Sequence, residues 1–203
     1  MQKNDYHHGD LRNALISAGV EALAEQGIQG LSLRKLAKEL GVSHNAPYQH
    51  FKDKEALVAA IAEQGFYMLT ESVEQAADAA GDGALKRLHS AAQSYVGFAM
   101  AHPHHFWAMF QPYDIQRFQA LSVASIQSFE QLVGLVRAGQ DADVLQGGDP
   151  AHLATTVWAL LHGIASILAA NKLPPQVDQG VSPQQLAAIF LARLLHGIGA
   201  PIP

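Results

Sequence analysis

Apolar residues recur at helical spacing along almost the whole chain, and no run alternates apolar and polar positions with the β-branched enrichment of a strand. The pattern predicts an all-α protein of about nine helices. Leu11, Leu15, Ala18 and Ala22 form one stripe with Arg12, Glu21 and Glu25 outside it, so the first helix buries that stripe until Gly27 and Gly30 break the pattern. Ser32 can cap a second helix over 33–40, and Gly41 suits its left-handed C-terminal cap. Ser43 opens a third, and Asp53 a long fourth that runs to about Ala80 and ends at Gly81 and Gly83. Further helices are expected over 84–101, 103–110, 114–139, 150–171 and 183–197, separated by Pro112, Gly147-Gly148 and Pro174-Pro175. Asp149 before Pro150 places a capping residue ahead of proline at the first helical position. Ser182-Pro183-Gln184-Gln185 does the same and matches a capping box.

Composition narrows the class. A chain of 203 residues with 49% hydrophobic content can bury a real core. With no cysteine, disulfides, thiolate metal sites and cysteine nucleophiles are excluded. The opening MQKNDYHHGD lacks the apolar stretch of a secretory signal. The most apolar run, 157–170, is interrupted by His162, Gly163 and Ser166 and falls short of the roughly 20 residues of a spanning helix, so it is expected to be a buried helix. The expected setting is the cytoplasm, with no membrane partner.

The net charge of −5 counts against nucleic acid until its distribution is considered. Between Arg34 and Lys54, five bases (Arg34, Lys35, Lys38, Lys52, Lys54) face two acids (Glu39, Asp53). Charges more than about 8 Å apart are largely screened at physiological salt, so an acidic remainder need not cancel this basic stretch. The same stretch, LSLRKLAKELGVSHNAPYQHF, carries the spacing of a helix-turn-helix. Ala37 is small where two helices would cross, Gly41 follows four residues later at the turn, and Leu36, Leu40 and Val42 supply apolar contacts. His44, Asn45, Ala46 and Gln49 are left outward as candidate base readers: the amides suit adenine edges, and the Ala46 methyl suits thymine. Tyr48, His50, Lys52 and Lys54 suit phosphate.

Residues 6–66, and above all LSLRKLAKELGVS followed by Tyr48, His50, Phe51 and Lys54, resemble the TetR family of bacterial regulators. The resemblance implies a three-helix DNA-binding head over 6–66, a ligand-binding and dimerisation domain over 67–199, and a homodimer on a near-palindromic double-stranded DNA operator. It also implies that 43–51 is the recognition helix, with Tyr48, His50 and Lys54 as backbone anchors and Arg34 as a helper. Pro47 is less usual there and is expected to shorten or stiffen that helix rather than abolish it. The YHHGDL opening, the APY variant and Trp158, His162 and Gly163 resemble a subgroup with a Trp-His-Gly signature in its C-terminal half.

The remaining constellations weigh against other chemistry. The eleven histidines include His102, His104 and His105, but no carboxylate lies nearby and there is no HExxH pair, so no metal site is expected. GDGALK lacks the third glycine of a phosphate loop and any preceding strand, no GxSxG elbow exists, and no catalytic residue or cofactor is expected. Aromatic residues cluster mid-chain, and Tyr95, Phe98, His105, Phe106, Trp107, Phe110, Trp158 and His162 are the candidates to line a pocket for a small apolar or aromatic effector. In the helix over 150–171, Leu153, Leu160, Ile164 and Ile167 are expected to face the core. Thr155, Ala159, His162, Ser166 and Ala170 are left as a small-residue stripe, which with Leu186, Ile189, Phe190 and Leu194 is expected to form the dimer interface. The expected function is a ligand-responsive repressor. The rival is a helical small-molecule-binding protein or enzyme with a vestigial DNA-binding head.

Overall fold

The computed structural model describes residues 8–177 and 180–196. They form eight α-helices and one 3-10 turn: α1 (His8–Gly30), α2 (Leu33–Glu39), the turn Ala46–Gln49, α3 (Lys54–Ala79), α4 (Ala84–Ala101), α5 (Pro103–Met109), α6 (Gln119–Asp141), α7 (Pro150–Ala169) and α8 (Pro183–His196). No strand occurs among the described residues. The expected helix end at Gly197 lies outside them.

The chain divides into two compact units. The first takes the described residues of Met1–Gly65 together with His104–Val123, the second those of Phe66–Pro103 and Ala124–Pro203. In the first unit, α1 buries Leu11, Leu15, Ile16 and Leu23, and its Gly19 lies against Leu57 and Ile61 of α3. Each fully buried side chain of this kind contributes about 1.5–3 kcal/mol. Gly19 lets the two helices meet, since a Cβ there would stand 3.1 Å from Ile61 Cδ1. The expected break in α1 appears as a kink at Gly27, whose φ of 63° is open to glycine. Gly65 plays the same part between α3 and α5, where a Cβ would come within 2.9 Å of Met109 Sδ and 3.2 Å of His105 Cβ. The helix expected from 114 begins instead at Gln119. Asp114 Oδ1 accepts from Gln116 N at 3.0 Å, holding 115–117 in a turn.

In the second unit α4 packs on α7 and α8, which also pack on each other. Val133, Val136 and Ala154 form a buried cluster with Phe129, Leu132 and Leu153 against it. Both caps predicted for this unit are present, whereas Ser32, expected to cap α2, makes no side-chain capping bond. Asp149 accepts from Ala151 N at 2.8 Å. Ser182 and Gln185 make a reciprocal box, with Gln185 N donating to Ser182 Oγ at 3.2 Å and Ser182 N donating to Gln185 Oε1 at 2.9 Å.

The expectation of a buried α7 is corrected. By length and composition alone this 20-residue helix could cross a membrane, yet only 28% of its apolar window is buried. Ala154, Val157, Leu161, Ile164 and Ala165 face inward. Leu153 and Leu160 are only half-buried, and Ile167, expected in the core, is 44% exposed. The reason is angular: Ile167 lies three residues past Ile164, and at about 100° per residue it falls beyond the edge of the inward face. Thr155, Ala159 and Ala170 are exposed as the stripe requires, while His162 and Ser166 are half-buried. On α8, Ile189 is exposed, Phe190 and Leu194 are half-buried, and Leu186 is already buried within its own unit.

Candidate functional site

The site begins with how α2 ends. Val42 N donates to Ala37 O at 3.0 Å and Gly41 N to Lys38 O at 3.2 Å, a Schellman closure that needs the left-handed φ of 68° at Gly41. Beyond it, Ala46 N, Tyr48 N and His50 N each donate three residues back, to Ser43, Asn45 and Pro47. The helix expected over 43–51 is therefore a 3-10 turn over Ala46–Gln49. Pro47 contributes to this: it has no N–H to donate four residues back to Ser43 O. Pro47 and Phe51 are buried and pin the segment down, and the Arg12 guanidinium lies 5.6 Å over the Phe51 ring.

This anchoring sorts the candidate readers. His44, Asn45, Tyr48, Gln49 and Lys52 are exposed, as are Arg34, Lys35 and Lys38 on α2, whereas Ala46 and His50 are half-buried. The exposed set offers amide, imidazole, phenol and cationic groups from one short segment and the adjoining helix, the chemistry that phosphate and base edges require.

Lys54 is placed differently. It is half-buried, and its ammonium donates to Ile28 O at 3.1 Å, tying the start of α3 to the end of α1. Asp53 caps α3 by accepting from Ala56 N at 2.9 Å. Arg117 pairs with both Asp53 and Glu55. Burial pushes the Asp53 carboxyl up, but the Ala56 N–H and the Arg117 guanidinium outweigh it and leave the group below the ordinary aspartate value. Tyr113 Oη donates to Ala108 O at 2.8 Å and to Val58 O at 3.3 Å. The Arg117 pairing was not legible in the sequence, because its partners lie more than sixty residues away.

The eight effector candidates fall into two sets. In the second unit, Tyr95 and Phe98 are buried, and Trp158 Nε1 donates to Tyr95 Oη at 3.3 Å. Tyr95 Oη and His162 Nδ1 share a hydrogen bond at 3.2 Å. The Trp158 ring lies 5.7 Å from that of His162 and edge-on to Phe129 at 6.5 Å. Burial lowers the His162 pKa and raises that of Tyr95, so both are neutral near pH 7. The Phe98 and His102 rings lie 5.0 Å apart, tilted by 42°. In the first unit, His105 and Phe106 are buried, with His105 Nε2 bonded to Gln64 Oε1 at 3.0 Å and Phe106 edge-on to Phe110 at 5.1 Å. Trp107 is 39% exposed, its outward turn leaving the inward face of the two-turn α5 to His105, Phe106, Ala108 and Met109.

Comparison with known proteins agrees with this anatomy. Residues 88–197 match the family described as tetracyclin repressor-like, C-terminal domain, and residues 15–61 match bacterial regulatory proteins of the tetR family. Over 51 residues the chain is 49% identical to the class A tetracycline repressor protein from transposon 1721 of Escherichia coli. That alignment spans 25% of this chain and 24% of the repressor. The uncharacterized HTH-type transcriptional regulator YobS of Bacillus subtilis (strain 168) is 26% identical over 92% of this chain and 94% of its own. A solved structure of a protein with unknown function from Rhodococcus sp. RHA1 is 33% identical, covers 96% of this chain and 98% of that one, and superposes with a TM-score of 0.81. With both its helix-turn-helix and its C-terminal helices matched, the chain belongs to the TetR family of bacterial regulatory proteins.

Proposed function

We propose that this protein is a ligand-responsive transcriptional repressor that acts in the cytoplasm and binds a near-palindromic operator as a homodimer. The observation that carries the reading is the exposed group His44, Asn45, Tyr48, Gln49 and Lys52 beside the basic face of α2, held by the buried anchors Pro47 and Phe51. In this reading residues 6–66 bind DNA and 67–199 bind ligand and the second subunit. Gln49, Asn45, His44 and Ala46 read bases, and Tyr48, Lys52, His50, Arg34 and Lys54 address the phosphate backbone. Repression needs only that the bound dimer occlude a promoter.

The exposed Thr155, Ala159, Ile167 and Ala170 of α7 and Ile189 of α8 support a helix-to-helix dimer contact, since monomers rarely leave such a face uncovered. That contact, rather than a membrane, accounts for the apolar α7. Trp158, His162 and Gly163 are assigned to the Trp-His-Gly signature. Tyr95, Phe98, Trp158 and His162 in the second unit, and separately His105, Phe106, Trp107 and Phe110 in the first, are assigned to recognition of a small apolar or aromatic effector. No catalytic role is assigned to any residue.

The test is selection of bound fragments from genomic DNA by the full chain, followed by gel shift at graded salt. The expected outcome is retention of one near-palindromic sequence, with affinity falling steeply as salt rises. Failure to retain any sequence over competitor DNA would favour a helical ligand-binding protein or enzyme with a vestigial head.

A further inference from the structure

The second half of α3 and the facing length of α4 leave a groove of about 780 Å³, to which Gln184 of α8 contributes. Ser72 and Ser94 join the two helices within it through a 2.8 Å hydrogen bond. Gly97 admits Gln184, since a Cβ there would stand 3.1 Å from Gln184 Nε2. Small residues such as Ala76, Ala79 and Ala101 keep the walls low. Apart from Phe98, none of the aromatic effector candidates lines it.

Its chemistry is unlike that of an apolar pocket. Ser90, Gln93 and Gln184 line it, and their side chains make no hydrogen bond among the described residues. No Lys or Arg lines it, and its one imidazole, His102, lies against the Phe98 ring, so a phosphate or carboxylate meets no permanent counter-charge there. Its one carboxylate, Glu71, already accepts from Gln75 Nε2 at 3.1 Å, which leaves a polycation poorly served. An apolar occupant would strand the unpaired amides and hydroxyl. Amides and hydroxyls both donate and accept, as does each hydroxyl of a sugar or polyol. The volume falls within the roughly 300–1,000 Å³ of small-molecule sites.

We infer that this groove between α3 and α4 binds a neutral polyhydroxylated molecule, a sugar or a polyol, through Ser90, Gln93 and Gln184. The groove shares only Phe98 with the aromatic residues assigned to the effector. Because such solutes raise melting temperatures non-specifically by exclusion from protein surfaces, the readout must be saturable binding rather than thermal shift. The experiment titrates the full chain with glucose, maltose and myo-inositol up to about 10 mM by calorimetry and saturation-transfer NMR, with spermidine and inorganic phosphate as separate arms. At least one of the three polyhydroxylated probes is expected to saturate. Gln93→Leu should weaken it about tenfold, Gly97→Met should abolish it, and the other two arms should show nothing at the groove. Ser90→Val, at a half-buried surface position, repeats the test should Gly97→Met fail to fold. No saturable binding of any of the three probes, binding unchanged in Gln93→Leu and Ser90→Val, or saturation by spermidine or phosphate alone would overturn the assignment.

Discussion

At the scale of single residues, Lys52 and Lys54 separate two roles that sequence pattern alone runs together. Lys52 is exposed, so Lys52→Ala should weaken binding to all operators alike and lower the salt slope by about one unit. Gln49→Ala should instead change sequence preference, and gel shifts on a randomised operator distinguish the two. Lys54 holds Ile28 O, so Lys54→Ala should also lower the melting temperature of the free protein, which Lys52→Ala should not. His162 makes a pH-dependent contribution. Burial depresses its pKa below the ordinary 6.5, so the unfolded chain binds the proton more readily than the native one. The stability this gives is fully present above pH 6.5 and fades as pH falls through the lowered value. A neutral imidazole carrying its proton on Nε2 can accept from Tyr95, whereas the imidazolium cannot. In a Trp107→Phe background, Trp158 emission should therefore change with a midpoint below pH 6.5 and lose that transition in His162→Gln. An unchanged titration in the variant would refute the assignment.

At the scale of elements, the start of α3 depends on Asp53, which caps the helix and holds Arg117. Asp53→Ala should destabilise the protein by about 1 kcal/mol, near the ordinary value of a lost cap. Asp53→Asn keeps the capping oxygen and should cost less. With the Asp53 pKa lowered, its contribution is complete above the ordinary 3.8 and is lost as pH falls below that value, so wild type and Asp53→Ala should converge in stability under acid denaturation. Most element boundaries were legible: Gly41, Asp149 and Ser182 act within a few residues along the chain, and their caps appear as expected. The segment after Gly41 was harder. Its polar and apolar spacing fits a helix over 43–51, but Pro47 removes one four-residue bond, and Ala46, Tyr48 and His50 donate three residues back, which periodicity does not reveal.

For the whole molecule, the exposed face of α7 leads to a prediction about assembly. The full chain should sediment as a dimer at micromolar concentration. Ala159→Arg, at a position exposed within its own protomer, should yield a folded monomer. Because operator binding by a dimer gains from the second head being held nearby, that variant should lose about 100-fold or more in operator affinity. A wild-type monomer at that concentration, or a monomeric variant with undiminished affinity, would refute the dimer assignment.

The sequence by itself determined the helical class, nearly all the helix ends and the position of the helix-turn-helix, because capping, glycine conformation and apolar periodicity act over three or four residues. It also carried the family, through residues that sit together in one short stretch. Only the tertiary structure decided that Lys54 serves Ile28, that Arg117 serves Asp53 and Glu55, that Gly65 is where α5 meets α3, and that Ile167 faces outward. A side chain's spacing gives its direction around its own helix. Which distant segment covers that direction depends on how the helices pack, and a long-range hydrogen bond or ion pair leaves no periodic trace in the chain that makes it.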